Sequence, residues 1–286
     1  MSQYPFQFWP ATERTHNKRQ AIYFAHANAY PPASYQAIID GLRELAPVIS
    51  YLQRPLWAEP PAPESVTSWH DFADDVIAFF EQENISNVMA VGHSMGAVSA
   101  FLAATQRPDL FKALVMIEPV VFNRGFCWLN RILPRFIRER VPIIKKTLHR
   151  PDQWPSLQAA FDFHRRTRAF KRVSDEQLWQ YIHAGVKADD TGSFRLVFDK
   201  RWEAHIYQTV TPFRKQLLQS SLPVLALRGA ETDTIPAAFW QRWHSNNNHQ
   251  LIEIPNSSHL LPIERPEQVL SHVIPFIEQQ ITETHR

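Results

Sequence analysis

Five residues, Gly92-His93-Ser94-Met95-Gly96, place a serine between two glycines in the pattern G-x-S-x-G. The apolar run Val88 to Val91 comes just before it, and a helical pattern from Met95 to Gln106 comes just after. A serine on so tight a strand-to-helix turn projects its Oγ above a sheet edge, and side chains in place of the glycines would collide there. The helix N-terminus behind the turn favours the negative charge that attack on a carbonyl creates. The chain holds 7 glycines, so composition alone would yield about 0.01 matches of this form. The chemistry implied is acyl transfer, with Ser94 as the nucleophile.

A hydroxyl is a weak nucleophile until a base takes its proton. Of 13 histidines, His259 has the right context, in Pro255-Asn256-Ser257-Ser258-His259-Leu260. That loop follows the last core strand, at the strand end where open α/β sheets carry their sites. His26 and His93 flank other site loops and read as structural. A carboxylate is needed to fix the base's tautomer and stabilise its imidazolium. Asp233, just past the predicted strand Val224 to Leu227, is the favoured acid. Glu118, which closes the strand after the nucleophile helix, and Glu231 are the alternatives. Donors for the oxyanion are the backbone N–H of Met95 and one from His26-Ala27-Asn28; Asn28 is preferred, with Ala27 the alternative.

The elements that must position these groups alternate. Ala21 to Ala25 and Val48 to Leu52 read as strands, with a helical pattern from Ser34 to Leu45 between them. A helix from Ser68 to about Glu83, the strand into Ser94, its helix, and the strand Ala113 to Ile117 follow. Alternation of this kind predicts a parallel sheet with helices on both faces. The rhythm breaks from about Val120 to Ser220, where the pattern is helical or irregular. It resumes with Val224 to Leu227, a helix over Pro236 to His244, the strand Leu251 to Ile254 and a helix over Pro266 to Gln280. The predicted organisation is a core of residues 1–118 and 221–286 with a helical cap inserted at 119–220.

With these elements placed, the chain resembles the α/β-hydrolase superfamily, especially its capped branch of esterases, epoxide hydrolases and haloalkane dehalogenases. The resemblance covers most of residues 20–118 and 221–282. His26-Ala27-Asn28 matches the family's His-Gly-x oxyanion loop, with Ala27 in place of glycine. Gly92 to Gly96 matches the nucleophile elbow, Gly229 with Asp233 the acid loop, and Asn256 to His259 with Glu264-Arg265-Pro266-Glu267 the histidine loop and its following helix. Ser94, Asp233 and His259 fall in the chain order that this fold uses. The resemblance implies an α/β-hydrolase fold with an inserted, mainly helical cap. Epoxide hydrolases and dehalogenases of this branch use an aspartate nucleophile, so Ser94 argues against both chemistries. The segment before Gln20 is too short for the family's full leading strands.

Composition narrows the rest. Hydrophobic residues make up 44% and charged residues 20%, enough apolar material for a substantial core. One cysteine, Cys127, leaves no internal disulfide and no cysteine metal cluster. No leader-like apolar region or membrane-length apolar run is present, so a cytoplasmic protein is expected. No metal or organic cofactor is called for. Residues 119–215 carry 19 Lys or Arg against 9 Asp or Glu, within a chain whose net charge is +2. The segment Phe126 to Leu148 mixes those cations with Trp128, Leu129, Ile132, Leu133, Phe136 and Ile137. It reads as a surface for anionic lipid, as a guide for an acidic substrate, or, the favoured reading, as a helix with its apolar face on the core and a solvated basic face. No nucleic-acid motif accompanies the charge. Trp154, Phe161, Phe163, Phe170 and Trp179 either line an acyl pocket or belong to the core.

The expected partner is therefore a small-molecule ester. The expected reaction is hydrolysis of a small or medium acyl substrate through an acyl-enzyme. The same groups would serve a thioesterase, lactonase, C–C hydrolase or acyltransferase. Outside enzymes, a silent binding protein on this fold, or a membrane-associated one, is the alternative.

Overall fold

Strands that are apolar on both faces need helices on both sides, and the chain is laid out accordingly. The computed structural model describes residues 3–13, 21–246 and 248–283; residues 14–20, part of the N-terminal stretch read for a leader and for leading strands, lie outside them. The first half of the core is β1 (Phe6–Trp9), β2 (Ile22–Ala25), α1 (Gln36–Arg43), β3 (Val48–Tyr51), α2 (His70–Gln82), β4 (Val88–His93), α3 (Met95–Gln106) and β5 (Phe111–Ile117). Then come α4 (Arg124–Ile132), α5 (Arg135–Arg138), α6 (Pro142–His149), β6 (Gln153–Trp154), α7 (Leu157–Arg165), α8 (Asp175–Gly185), β7 (Val186–Ala188), β8 (Phe194–Leu196), α9 (Lys200–Gln208) and α10 (Arg214–Gln219). The core resumes with β9 (Val224–Gly229), α11 (Ala237–Trp243), β10 (His249–Ile254), α12 (Leu261–Glu264) and α13 (Pro266–Glu283).

The seven core strands form one sheet in the order β1-β3-β2-β4-β5-β9-β10. All neighbours are parallel except β1, which pairs antiparallel with β3 from Phe6↔Tyr51 to Trp9↔Val48. The N-terminal segment thus supplies one leading strand, which its mixed sequence did not announce. Period-two alternation splits the core between the two faces. Ile22 and Phe24 pack with Ile38, Ile39 and Leu42 of α1 and with Val269, Val273 and Phe276 of α13. Tyr23 and Ala25 pack with Phe72, Val76 and Phe79 of α2 and with Val98 and Phe101 of α3.

The chain steps from β2 to β3 on one side and then to β4 on the other. That reversal opens a crevice at the carboxyl ends of the strands. Ala25 pairs with Gly92, His93 with Ile117, Ile117 with Leu227 and Ile254 with Gly229, so these strand ends lie along one edge. The expectation of a mostly parallel sheet flanked by helices is met.

The inserted segment is mainly helical but also holds a small antiparallel sheet, β6-β8-β7. Strands of two or three residues are too short to show a periodicity. The larger correction concerns α4. Its apolar face was expected on the core, yet the buried residues of α4 are Cys127 and Asn130. Trp128, Leu129 and Ile132 are exposed instead.

Candidate active site

Ser94 sits between β4 and α3 with φ 54° and ψ −123°, a strained conformation for a residue with a side chain. Close approach of neighbouring backbone holds it there. A Cβ on Gly92 would come within 2.6 Å of Ala97 Cα, and a Cβ on Gly96 would collide with the carbonyl oxygens of Ala25 and His26. The Ser94 N–H donates to the Ile117 carbonyl at 2.9 Å, which ties the turn to the end of β5. The side chain that results is only 6% exposed.

His259 lies in the loop after β10, with its Nε2 3.0 Å from Ser94 Oγ. Two clamps fix that loop. The Ser258 N–H and hydroxyl both donate to the buried Glu264 carboxylate, at 2.7 and 2.5 Å. The His259 carbonyl accepts from His93 Nε2–H at 2.8 Å, and His93 Nδ1 accepts from the Tyr35 hydroxyl at 2.8 Å. Burial holds His93 neutral, with its pKa well below the ordinary value. Its ring is thereby a fixed spacer, one nitrogen donor and one acceptor, and no proton carrier.

The carboxylate that faces the base is Glu118, not Asp233. Glu118 Oε2 lies 3.3 Å from His259 Nδ1, and the Glu118 side chain is fully buried. A buried carboxylate needs donors, and Glu118 has three. They are the Gly229 N–H at 2.5 Å, the Thr232 hydroxyl at 2.5 Å and the Thr234 hydroxyl at 2.9 Å. Thr234 Oγ1 is also 3.3 Å from His259 Nδ1. Glu118 has φ 49°, and its own N–H donates to the Leu227 carbonyl at 2.8 Å. The loop after β9 therefore contributes hydroxyls to the site. With Thr232 and Thr234 turned to Glu118, Asp233 between them is exposed and lines the cavity wall, with no hydrogen bond to His259 among the described residues. Glu231 is also exposed and pairs with Arg172.

On the other side of Ser94, the Ala27 N–H donates to the Tyr35 hydroxyl at 3.4 Å. The N–H groups of Asn28 and Met95 have no acceptor among the described residues. Both residues line the same cavity as Ser94. The Asn28 side-chain amide donates to the Glu203 carbonyl of α9 at 3.1 Å, so the inserted segment holds the loop that presents this N–H. His26 is also buried; its Nδ1–H donates to the Ala27 carbonyl at 3.0 Å and its Nε2 accepts the Gln53 N–H at 3.3 Å.

The cavity over Ser94 has a volume of about 660 Å³. Tyr30, Ile144, Phe163, Phe170 and Tyr181 give it an apolar wall. Of the five aromatics weighed as pocket or core, Phe163 and Phe170 line it. Trp154 and Phe161 are buried in the core, and Trp179 stacks on Phe161 at 4.5 Å. Beside the cavity Arg150 is ion-paired with buried Glu203. Tyr35, Thr232 and Thr234 were not anticipated from the sequence, and Glu264 was read only as part of the motif after the histidine loop. Only the Thr-x-Thr spacing around Asp233 held a local hint of them. Among the described residues no cluster of three or more His, Cys, Asp or Glu could hold a metal ion.

The profile of the "Alpha/beta hydrolase family" matches residues 22–272. An uncharacterized hydrolase of Bacillus subtilis, YugF, is 25% identical over 262 residues, covering 91% of this chain and 90% of that protein. Among solved structures, E-2-(acetamidomethylene)succinate hydrolase superposes with a TM-score of 0.78 at 17% identity, covering 96% of each chain. The M. tuberculosis esterase Rv0045c superposes with a TM-score of 0.69 at 17% identity, covering 92% of this chain and 86% of that one. At such identities the structural likeness is one of fold.

Proposed function

The chain belongs to the alpha/beta hydrolase family, and from that premise we propose that it is a serine hydrolase cleaving a carboxylic ester of a small or medium acyl group. The observation that carries this reading is the line of contacts from Ser94 Oγ to His259 Nε2 at 3.0 Å and from His259 Nδ1 to Glu118 Oε2 at 3.3 Å. His259 takes the Ser94 proton as Oγ attacks the ester carbonyl. The Met95 and Asn28 N–H groups hold the oxyanion of the tetrahedral intermediate. His259 then gives the proton to the departing alcohol, which leaves an acyl-Ser94 ester. Water, deprotonated by His259, attacks that ester and releases the acid. Glu118 keeps the His259 Nδ1–H in place through both halves.

A cavity of about 660 Å³ with apolar walls suits an acyl chain of modest length. The esterase among the structural neighbours is consistent with the assignment. The test is an ester panel with varied acyl length and leaving group, joined to fluorophosphonate labelling read by intact mass. One adduct per chain is expected on the wild type and none on Ser94→Ala, with kcat/KM for a short aryl ester down about 10⁴-fold or more. Undiminished turnover by Ser94→Ala overturns the reading.

A further inference from the structure

Large hydrophobic side chains exposed on a soluble protein are normally scattered singly. Here they are gathered. Among the described residues Phe126, Trp128, Leu129, Ile132, Phe136 and Ile143 are exposed within α4 to α6, and Phe8 alone lies elsewhere. The arrangement is built in and does not come from a loose helix. Asn123 caps α4 by accepting the Phe126 N–H at 2.7 Å. The polar Asn130 faces inward, where its amide donates to the Gln208 carbonyl at 2.8 Å. Trp128 at 63% exposed and Ile132 at 54%, one turn apart, face outward, and Phe136 at 61% continues the patch on α5.

Cations are interspersed with these residues along the same segment. Residues 124–146 hold seven Lys or Arg and one acid, Glu139. Arg135 is engaged by Glu64 and Glu139, and Arg140 lies over the Phe136 ring at 6.0 Å. Arg124, Arg131, Lys145 and Lys146 are exposed and have no ion pair among the described residues. The patch also borders the cavity, since Phe126, Ile143 and Lys146 belong to the lining that includes Ser94.

We propose that α4 to α6 form a docking face for an anionic lipid surface, with the mouth of the cavity turned toward it. Outward Trp, Phe, Leu and Ile interspersed with exposed Lys and Arg are the two components of interfacial binding: apolar side chains enter the acyl boundary and cations meet the headgroups. No helix among the described residues is long and apolar enough to cross a membrane. A second copy of the chain is the poorer occupant. Two-fold pairing of this face would set its cations against the same cations. The docking proposal does not depend on which bond Ser94 attacks.

The experiment is co-sedimentation of the full chain with vesicles of phosphatidylcholine alone and of phosphatidylcholine with phosphatidylglycerol at three to one. Partitioning at least about 10-fold stronger into the anionic vesicles is expected, falling about 10-fold as NaCl rises from about 0.05 to about 0.5 M. Trp128→Ser with Phe136→Ser, and separately Arg131→Glu with Lys145→Glu, should each weaken partitioning by about 10-fold or more. All four side chains are exposed, so circular dichroism and thermal midpoint should stay at the wild-type values. Equal binding to both vesicle types, no binding, or variants that bind like the wild type overturn the proposal. So does a dimer in sedimentation velocity that the Ser pair abolishes, because a second copy would then cover the face.

Discussion

The carboxyl edge of the sheet and the α4 to α6 segment treat polarity in opposite ways. At the sheet edge, His26, His93 and Glu118 are fully buried, and each has partners on neighbouring strands or loops. In α4, the buried polar residue is Asn130, while tryptophan, leucine and isoleucine face outward. A buried polar group is tolerable only when its partners are fixed, so the first region is determined from within. The second turns most of its apolar side chains to solvent, with Phe126 stacked on Phe122 and Arg140 over the Phe136 ring as their contacts within the chain. The proposed docking to an anionic lipid surface would account for its residue types.

The sharpest way to break this contrast is at the acid. If buried Glu118 orients the base, Glu118→Gln should lower kcat/KM for a short aryl ester by about 10³- to 10⁴-fold. Asp233→Asn, at the exposed cavity wall, should change it by no more than about 3-fold. The reverse pattern would return the role to Asp233.

The buried histidines give a second, smaller effect. Burial lowers the His26 pKa from 6.5 to about 4. The unfolded chain therefore takes up this proton before the folded chain does. The stability it contributes is fully present above pH 6.5 and is lost as pH falls toward 4, by about 3 kcal/mol in all. Urea unfolding at stepped pH between 7 and 4 measures the slope, which His26→Gln should flatten. An unchanged slope in that variant would refute the assignment.

The smallest effect sharpens the contrast inside α4 itself. Asn130→Leu removes the amide that serves the Gln208 carbonyl and should cost about 1–3 kcal/mol. Trp128→Ser, two residues away on the exposed face, should stay within about 0.5 kcal/mol. Equal losses at the two positions would mean that Trp128 is packed in solution.

What could be read from the sequence follows the same division. The helix Met95 to Gln106 and the strands through Val88, Val224 and Leu251 were legible because their patterns are local and bounded by glycine or proline. Ser94 and His259 were singled out by their place after strands, and their side chains stand 3.0 Å apart. For the carboxylate beside His259 the sequence left Asp233 favoured over Glu118, since both follow core strands, and only the positive φ at Glu118 and the inward turn of two threonines separate them. For α4 the amphipathic pattern was visible but not its orientation. Which face turns inward depends on Tyr207 and Gln208, whose carbonyls lie 77 and 78 positions away from Asn130.

The bridge from Tyr35 through His93 to the His259 carbonyl spans steps of 58 and 166 positions. Pairings at such separation carry the loop-closure entropy of the chain between them. The seating of His259 thus draws together the turn that leads into α1, the end of β4 and the loop after β10. If Ser94 is the nucleophile, its acylation requires that seating, and the burst amplitude of a refolding sample would report the fraction of chains in which the three segments have met.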